Sequence, residues 1–167
     1  KQVFQTVEKG FNITHFELAG SGRGLFIADR YNHPSELFIE GTGQTGVNRI
    51  TDSNPFLVDI EFAKQEVVKY KAKDGLEIEG ILIRPLHEAA GKKYPLITIV
   101  HGGPEAHFNN GWLTGYSNPG QTGAAEGYAV FYPNYRGSNG RGVKFSLTSQ
   151  GDPAGKEFDD VVDGVDY

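Results

Sequence analysis

The chain has 167 residues, 38% of them hydrophobic and 22% charged, with a formal net charge of −5. Its Lys and Arg residues are scattered, which argues against a nucleic-acid groove or an anionic membrane surface as a partner, and no apolar run is long enough to span a bilayer. Cysteine is absent, which removes disulfides and thiolate metal sites, and no metal or cofactor is expected.

In chain order, the first third reads as short strands separated by turns. Residues 12–18 alternate apolar and polar side chains, the period of a strand. Gly20-Ser21-Gly22-Arg23-Gly24 is a turn, and with no helix pattern behind it the glycine spacing reads as a hairpin turn and not as a phosphate loop. Residues 25–28 form a second strand, Tyr31-Asn32-His33-Pro34 a turn, residues 36–39 a third strand, and residues 41–46 the turn that closes its hairpin. Strands at this spacing suggest a sandwich, a barrel or a propeller blade, and three or four of them cannot bury both faces of a sheet alone.

Asn54-Pro55 marks a break, and residues 56–62 read as a connector. Two alternating runs, 66–72 and 76–83, flank Asp74-Gly75, a hairpin signal that asks for positive φ at both central residues. Residues 96–100 are unalternating and β-branched, as expected for a strand covered on both faces. A weak helix follows at 117–126, then a buried strand at 127–132 stopped by Pro133. Phe158, Val161, Val162 and Val165 at i, i+3, i+4 and i+7 give the last helix an apolar face, and Asp152, Glu157, Asp159 and Asp160 suit its N-terminal end. This order predicts an α/β arrangement, with a mixed sheet and crossover helices after the leading hairpin.

The chemistry concentrates at His101-Gly102-Gly103-Pro104, directly after the 96–100 run. A strand ending in two glycines leaves backbone N–H groups unshielded, and such groups can hold the negative charge that develops on a substrate oxygen. The alternative is a glycine turn needed only for backbone shape. Ser117, in Gly115-Tyr116-Ser117-Asn118-Pro119, falls short of a nucleophile elbow, because no buried strand precedes it and a proline replaces the second glycine. Arg136 reads as paired with a nearby acid, or else as a site for a substrate carboxylate. Asp159, Asp160 and Asp163 read as a solvated helix start in preference to a metal site. His107, Phe108 and Trp112 follow the glycine pair and are candidates to line a substrate pocket, with plain packing the alternative.

Four stretches together resemble the prolyl oligopeptidase family of serine peptidases, on its acylaminoacyl-peptidase and dipeptidyl-peptidase-like branch. They are Lys73-Asp74-Gly75 with Ile78-Glu79-Gly80; His101-Gly102-Gly103-Pro104; Pro133-Asn134-Tyr135-Arg136-Gly137-Ser138 with Gly140 and Gly142; and Gly151-Asp152-Pro153-Ala154-Gly155 with Asp159-Asp160-Val161. The resemblance is strong over residues 64–167 and softer over 1–60. It implies that residues 1–60 end a β-propeller as its last blade, and that residues 61–167 begin an α/β-hydrolase domain, cut before the nucleophile elbow.

The resemblance further implies that Gly103, and after it Gly102, donates an oxyanion-hole N–H. Some relatives use a tyrosine side chain in this loop; His101 stands near that place, which argues for a backbone donor. In this fold the base follows the serine and the acid, so His101 reads as packed and hydrogen-bonded. The implied activity is hydrolysis of peptide bonds in short peptides through an acyl-enzyme, with the serine, aspartate and histidine supplied by the remainder of the parent polypeptide. The 167 residues alone are expected to be inactive. Methionine is absent, and Lys1 reads as a cut point in a longer chain. An α/β-hydrolase esterase and a non-catalytic binding module on the same scaffold are the alternatives. The compartment is cytoplasm or periplasm, and an unpaired buried strand edge makes a homo-oligomer a possible form.

Overall fold

The computed structural model describes residues 10–20, 22–40, 46–103 and 105–167. Ser21, residues 41–45 of the expected turn, and Pro104 lie outside the described residues. The chain divides into two units, one ending at Glu61 but also holding Asn110–Leu113, the other holding Phe62–Asn109 and Thr114–Tyr167.

In the first unit the period-two segments become an antiparallel sheet in sequence order: β1 (Asn12–Leu18), β2 (Gly24–Arg30), β3 (His33–Glu40) and β4 (Val47–Arg49). The turn before β3 is shorter than expected, because His33 already pairs with Arg30. Pro34, expected in the turn, lies in the strand. A register shift places Pro34 and Ser35 against Asp29, and a bulge of this kind tolerates a residue with no N–H to donate. Phe26 and Phe38 sit directly opposite each other, stacked at 5.4 Å, and Phe11 meets both edge-on. Beside this core the fully buried Glu36 carboxylate accepts from Arg49 (3.0 Å), from the Ser53 amide (2.8 Å) and from the Thr51 hydroxyl. Burial raises its pKa, but these hydrogen bonds outweigh that and hold it below the usual glutamate value. Residues 55–59 form one 3₁₀ turn in the connector.

The second unit opens with the predicted hairpin, β5 (Gln65–Lys71) and β6 (Glu77–Ile83). Its turn differs in type from the expectation. Gly75 has φ +89° and Asp74 has no positive φ. Gly75 N–H bonds Ala72 O at 2.7 Å and Ala72 N–H bonds Leu76 O at 2.9 Å, the pattern of a type I turn followed by a left-handed glycine. The sheet continues with β7 (Leu96–Thr98), helix α1 (Gly120–Ala125) and β8 (Ala129–Asn134), in the order β5-β6-β8-β7. β8 is antiparallel to β6 and parallel to β7, with α1 in the crossover that a parallel pair requires.

Two expectations for these strands are corrected. Pro133 does not stop β8, since it pairs with Gly80 and the ladder runs on to Asn134. Ile99 N–H donates to Phe131 O, so by alternation Pro133 turns its nitrogen to the β7 side, where the ladder has already ended at Thr98. Residues 96–100 are not covered on both faces: β7 has three residues, and Leu96 and Val100 are exposed. β7 is an edge strand of the described sheet, with β8 as its neighbour.

α2 (Val143–Ser146) and α3 (Lys156–Asp166) follow. The apolar stripe of α3 does not enter the unit's core, because Phe158, Val162 and Val165 are exposed. The buried residues are Asp160, Asp163 and Gly164, a face about 200° away at 100° per residue. Charge and small size explain the inversion. Tyr70 OH donates to Asp160 O at 2.8 Å, and the Lys73 amide and ammonium bind the Asp163 carboxylate at 2.7 and 3.0 Å. A side chain at Gly164 would come within 2.7 Å of Phe131 and of Tyr70, so glycine permits the close approach. The three aspartates are therefore not all a solvated helix start: Asp160 and Asp163 are buried and paired. Phe131 and Tyr70 belong to the core with Val68, Ile78 and Phe145.

Candidate active-site loop

β7 leads into His101, β8 leads into Tyr135, and Ala154 with the first turns of α3 closes the third side. Together they line a cavity of about 280 Å³ that includes Val100, His101, Gly103, Tyr135, Ala154 and Glu157. Gly103 is required where it stands. Its φ is +137°, and a Cβ there would lie 2.7 Å from the Glu105 nitrogen. Gly102 has open space around its missing side chain and does not line the cavity. Neither glycine amide has a hydrogen-bond acceptor among the described residues.

The imidazole of His101 stacks on Tyr135 at 4.4 Å and meets Phe108 edge-on. Its Nδ1 is 2.9 Å from Gly102 O and its Nε2 is 2.9 Å from Ser138 Oγ, so both ring nitrogens are engaged. Burial lowers its pKa, and His107 acts in the same direction, against the Gly102 bond. Across the cavity Ala154 adopts φ +60°, and its N–H donates to Glu157 Oε1 at 2.5 Å. A left-handed alanine is strained, and such strain collects at functional sites.

The other candidates lie outside this cavity's lining. The Phe108 backbone is clamped by the Asn134 amide at 2.7 and 2.9 Å, and its ring packs edge-on against Tyr132. His107 bonds the side chains of Asn139 and Asn109. Trp112 lies in the first unit, its N–H donated to Asp29 at 2.7 Å. Ser117 is exposed in a tight turn closed by Gly115 and Asn118. Arg136 is nearly buried and holds Asp160 through Nε at 2.8 Å and Nη2 at 2.7 Å, while Nη1 reaches Asp74 at 2.8 Å. Those carboxylates push the arginine pKa up, and the guanidinium holds Asp74 well below the usual carboxylate range. Sequence reasoning passed over Ser138, Tyr135, Ala154 and Glu157. Ser138 and Tyr135 sit in the family-like string at 133–138, but nothing in the sequence marks Ala154 as left-handed. Among the described residues no group of His, Asp and Glu is arranged to hold a metal ion, and no helix is long and apolar enough to cross a membrane.

Comparison with known proteins agrees with the resemblance read from the sequence. The uncharacterized peptidase YuxL of Bacillus subtilis is 36% identical over 135 residues, which cover 81% of this chain and 20% of that protein. Dipeptidyl-peptidase 5 of Aspergillus fumigatus is 37% identical over 91 residues, covering 54% and 12%. The acylaminoacyl peptidase of Pyrococcus horikoshii superposes with a TM-score of 0.80 at 26% identity, over 98% of this chain and 25% of that one. The chain thus spans a quarter or less of the proteins it matches. Residues 115–167, which contain Arg136, Ser138 and Asp160, match the prolyl oligopeptidase family. With the matches to these peptidases, the chain is similar to members of the prolyl oligopeptidase family over a quarter or less of their length.

Proposed function

We propose that the chain is part of a serine peptidase that hydrolyses peptide bonds in short peptides through an acyl-enzyme, and that it supplies an oxyanion-hole loop. The observation that carries this reading is Gly103: left-handed, lining a cavity, its N–H without an acceptor among the described residues. Attack on a scissile carbonyl puts charge on its oxygen, and a fixed N–H there is worth about 3–4 kcal/mol of barrier. Gly103 is the donor, and Gly102, away from the cavity, is the second choice.

The first unit ends a β-propeller. Its four-stranded antiparallel sheet in sequence order suits a blade. The second unit begins the hydrolase domain, and its exposed apolar surface on Leu96, Val100, Phe158 and Val162 is where the remaining polypeptide packs, bringing the serine, aspartate and histidine. The relatives' names, a dipeptidyl-peptidase and an acylaminoacyl peptidase, point to short or N-terminally blocked peptides as substrates. The test is a full-length protein given a fluorophosphonate and a panel of dipeptidyl and acyl-aminoacyl amides. Covalent labelling at one serine with amide turnover is expected, and residues 1–167 alone should do neither. Turnover of esters with no amide cleavage would replace the peptidase by an esterase.

A further inference from the structure

We propose that Tyr135 is a positioning residue whose hydroxyl, by holding the His101 carbonyl, decides which of the two adjacent glycine amides faces the cavity. The proposal deepens the oxyanion reading of Gly103 and rests on it for its purpose. Gly103 lines the cavity, whereas Gly102 is exposed and does not. Glycine backbone turns freely in both senses, so the residues at 102 and 103 do not make that choice by themselves.

The far end of the pair is fixed by packing, since Gly103 sits at φ +137° with no room for a side chain against the Glu105 nitrogen. The near end has no such wall, because a side chain at Gly102 would meet nothing within 4 Å. A hydrogen bond holds it instead: Tyr135 OH donates to His101 O at 2.6 Å. A trans peptide carries its C=O and N–H on opposite sides of one plane. The Gly102 N–H shares a peptide with that carbonyl, so it is turned away from Tyr135, which lines the cavity.

Tyr135 is itself firmly placed. Its ring stacks on the His101 imidazole at 4.4 Å. Its carbonyl accepts both the Ser138 N–H at 3.1 Å and the Ser138 hydroxyl at 2.6 Å. The next amide, that of Arg136, donates to the buried Asp160 carboxylate at 2.8 Å. Burial, and after it the negative charge of Glu157, raise the Tyr135 pKa, so the hydroxyl keeps the proton it donates. Without this bond the peptide between His101 and Gly102 is free to turn over. The Gly102 N–H would swing toward the cavity, and Gly103 would keep its direction in only a fraction of molecules.

The experiment compares Tyr135→Phe, which keeps the ring and loses the hydroxyl, with the unmodified full-length protein, both labelled with ¹³C and ¹⁵N. In the free protein the variant should move the His101 carbonyl carbon upfield, as a lost hydrogen bond does, and the Gly102 amide with it. With a peptidyl boronic acid bound, the shift confined to the Gly103 amide in the unmodified protein should spread to Gly102. On a dipeptidyl amide, kcat should fall about 5-fold with KM unmoved, the mark of a contact made only in the transition state. Tyr132→Phe loses a buried hydroxyl that accepts from Gly120 N–H at 2.9 Å, at the start of α1, and should leave the His101 and Gly102 resonances in place. An unmoved His101 carbonyl in Tyr135→Phe overturns the proposal. So does a boronate shift still confined to Gly103 in that variant, or the same spread in Tyr132→Phe. A boronate that never shifts Gly103 sinks the oxyanion reading instead, and the free-protein resonances then decide this one.

Discussion

The two units hold their sheets together by different means. In the first, cohesion is local: Phe26 meets Phe38 across one hairpin, and Glu36 is bound by Arg49, Thr51 and Ser53 within 17 residues. In the second, cohesion is long-range and ionic: Arg136 ties Asp74, 62 residues before it, to Asp160, 24 residues after, and Lys73 holds Asp163 across 90. Closing such loops costs chain entropy, and the Arg136–Asp160 pair is buried, where a loss is most expensive. The difference teaches that a helix in this molecule can dock by its polar face and leave an apolar stripe free for another surface.

The largest effect should come from breaking that dock. Asp160→Ala strips the buried guanidinium of its bidentate partner and is expected to destabilise the second unit by about 3–5 kcal/mol, read as lost amide-exchange protection in β5 and α3 with the β1–β4 sheet unaffected. The matching cut in the first unit is Glu36→Gln, which weakens the charge-assisted bonds to Thr51, Ser53 and Arg49. About 1.5–3 kcal/mol is expected, confined to β3 and β4; loss of protection in α3 instead would break the comparison. Smaller still is Gly75→Ala, which forces a side chain to φ +89° and should cost about 1–2 kcal/mol in the second unit.

Acid tests the ionic contacts of the second unit. Hydrogen bonds from the Lys73 amide and side chain lower the Asp163 pKa, and the Arg136 bond lowers that of Asp74, from an ordinary 3.8. A carboxylate with a depressed folded pKa contributes stability above its unfolded pKa and loses it as pH falls through the folded one. Denaturation midpoints of the second unit should therefore hold down to about pH 4 and fall below it, and Asp163→Asn should flatten that fall. A profile unchanged by the variant would remove Asp163 from the account.

Much of the fold was legible because period two in residues 12–18 and the Asp74-Gly75 signal are local facts. Pro34 and Pro133 misled for a common reason: a missing N–H is harmless at a bulge or beyond the end of a ladder, and neither is visible in sequence. The valines of α3 announced a helix correctly but not its docking face, which depends on an arginine 24 residues away. At the site, two adjacent glycines could be read as a pair of N–H donors, but only the structure separates Gly103, which cannot take a side chain, from Gly102, which can. Tyr135 was passed over because its importance depends on a carbonyl 34 residues before it.

The central claim is that the Gly103 N–H meets the oxygen of the reacting carbonyl. It is tested most directly by titrating the full-length, ¹⁵N-glycine-labelled protein with a peptidyl boronic acid, whose adduct mimics the tetrahedral intermediate. A large downfield shift of the Gly103 amide proton, with the Gly102 amide nearly still, is the predicted result. A boronate adduct that leaves the Gly103 proton where it was would contradict the account.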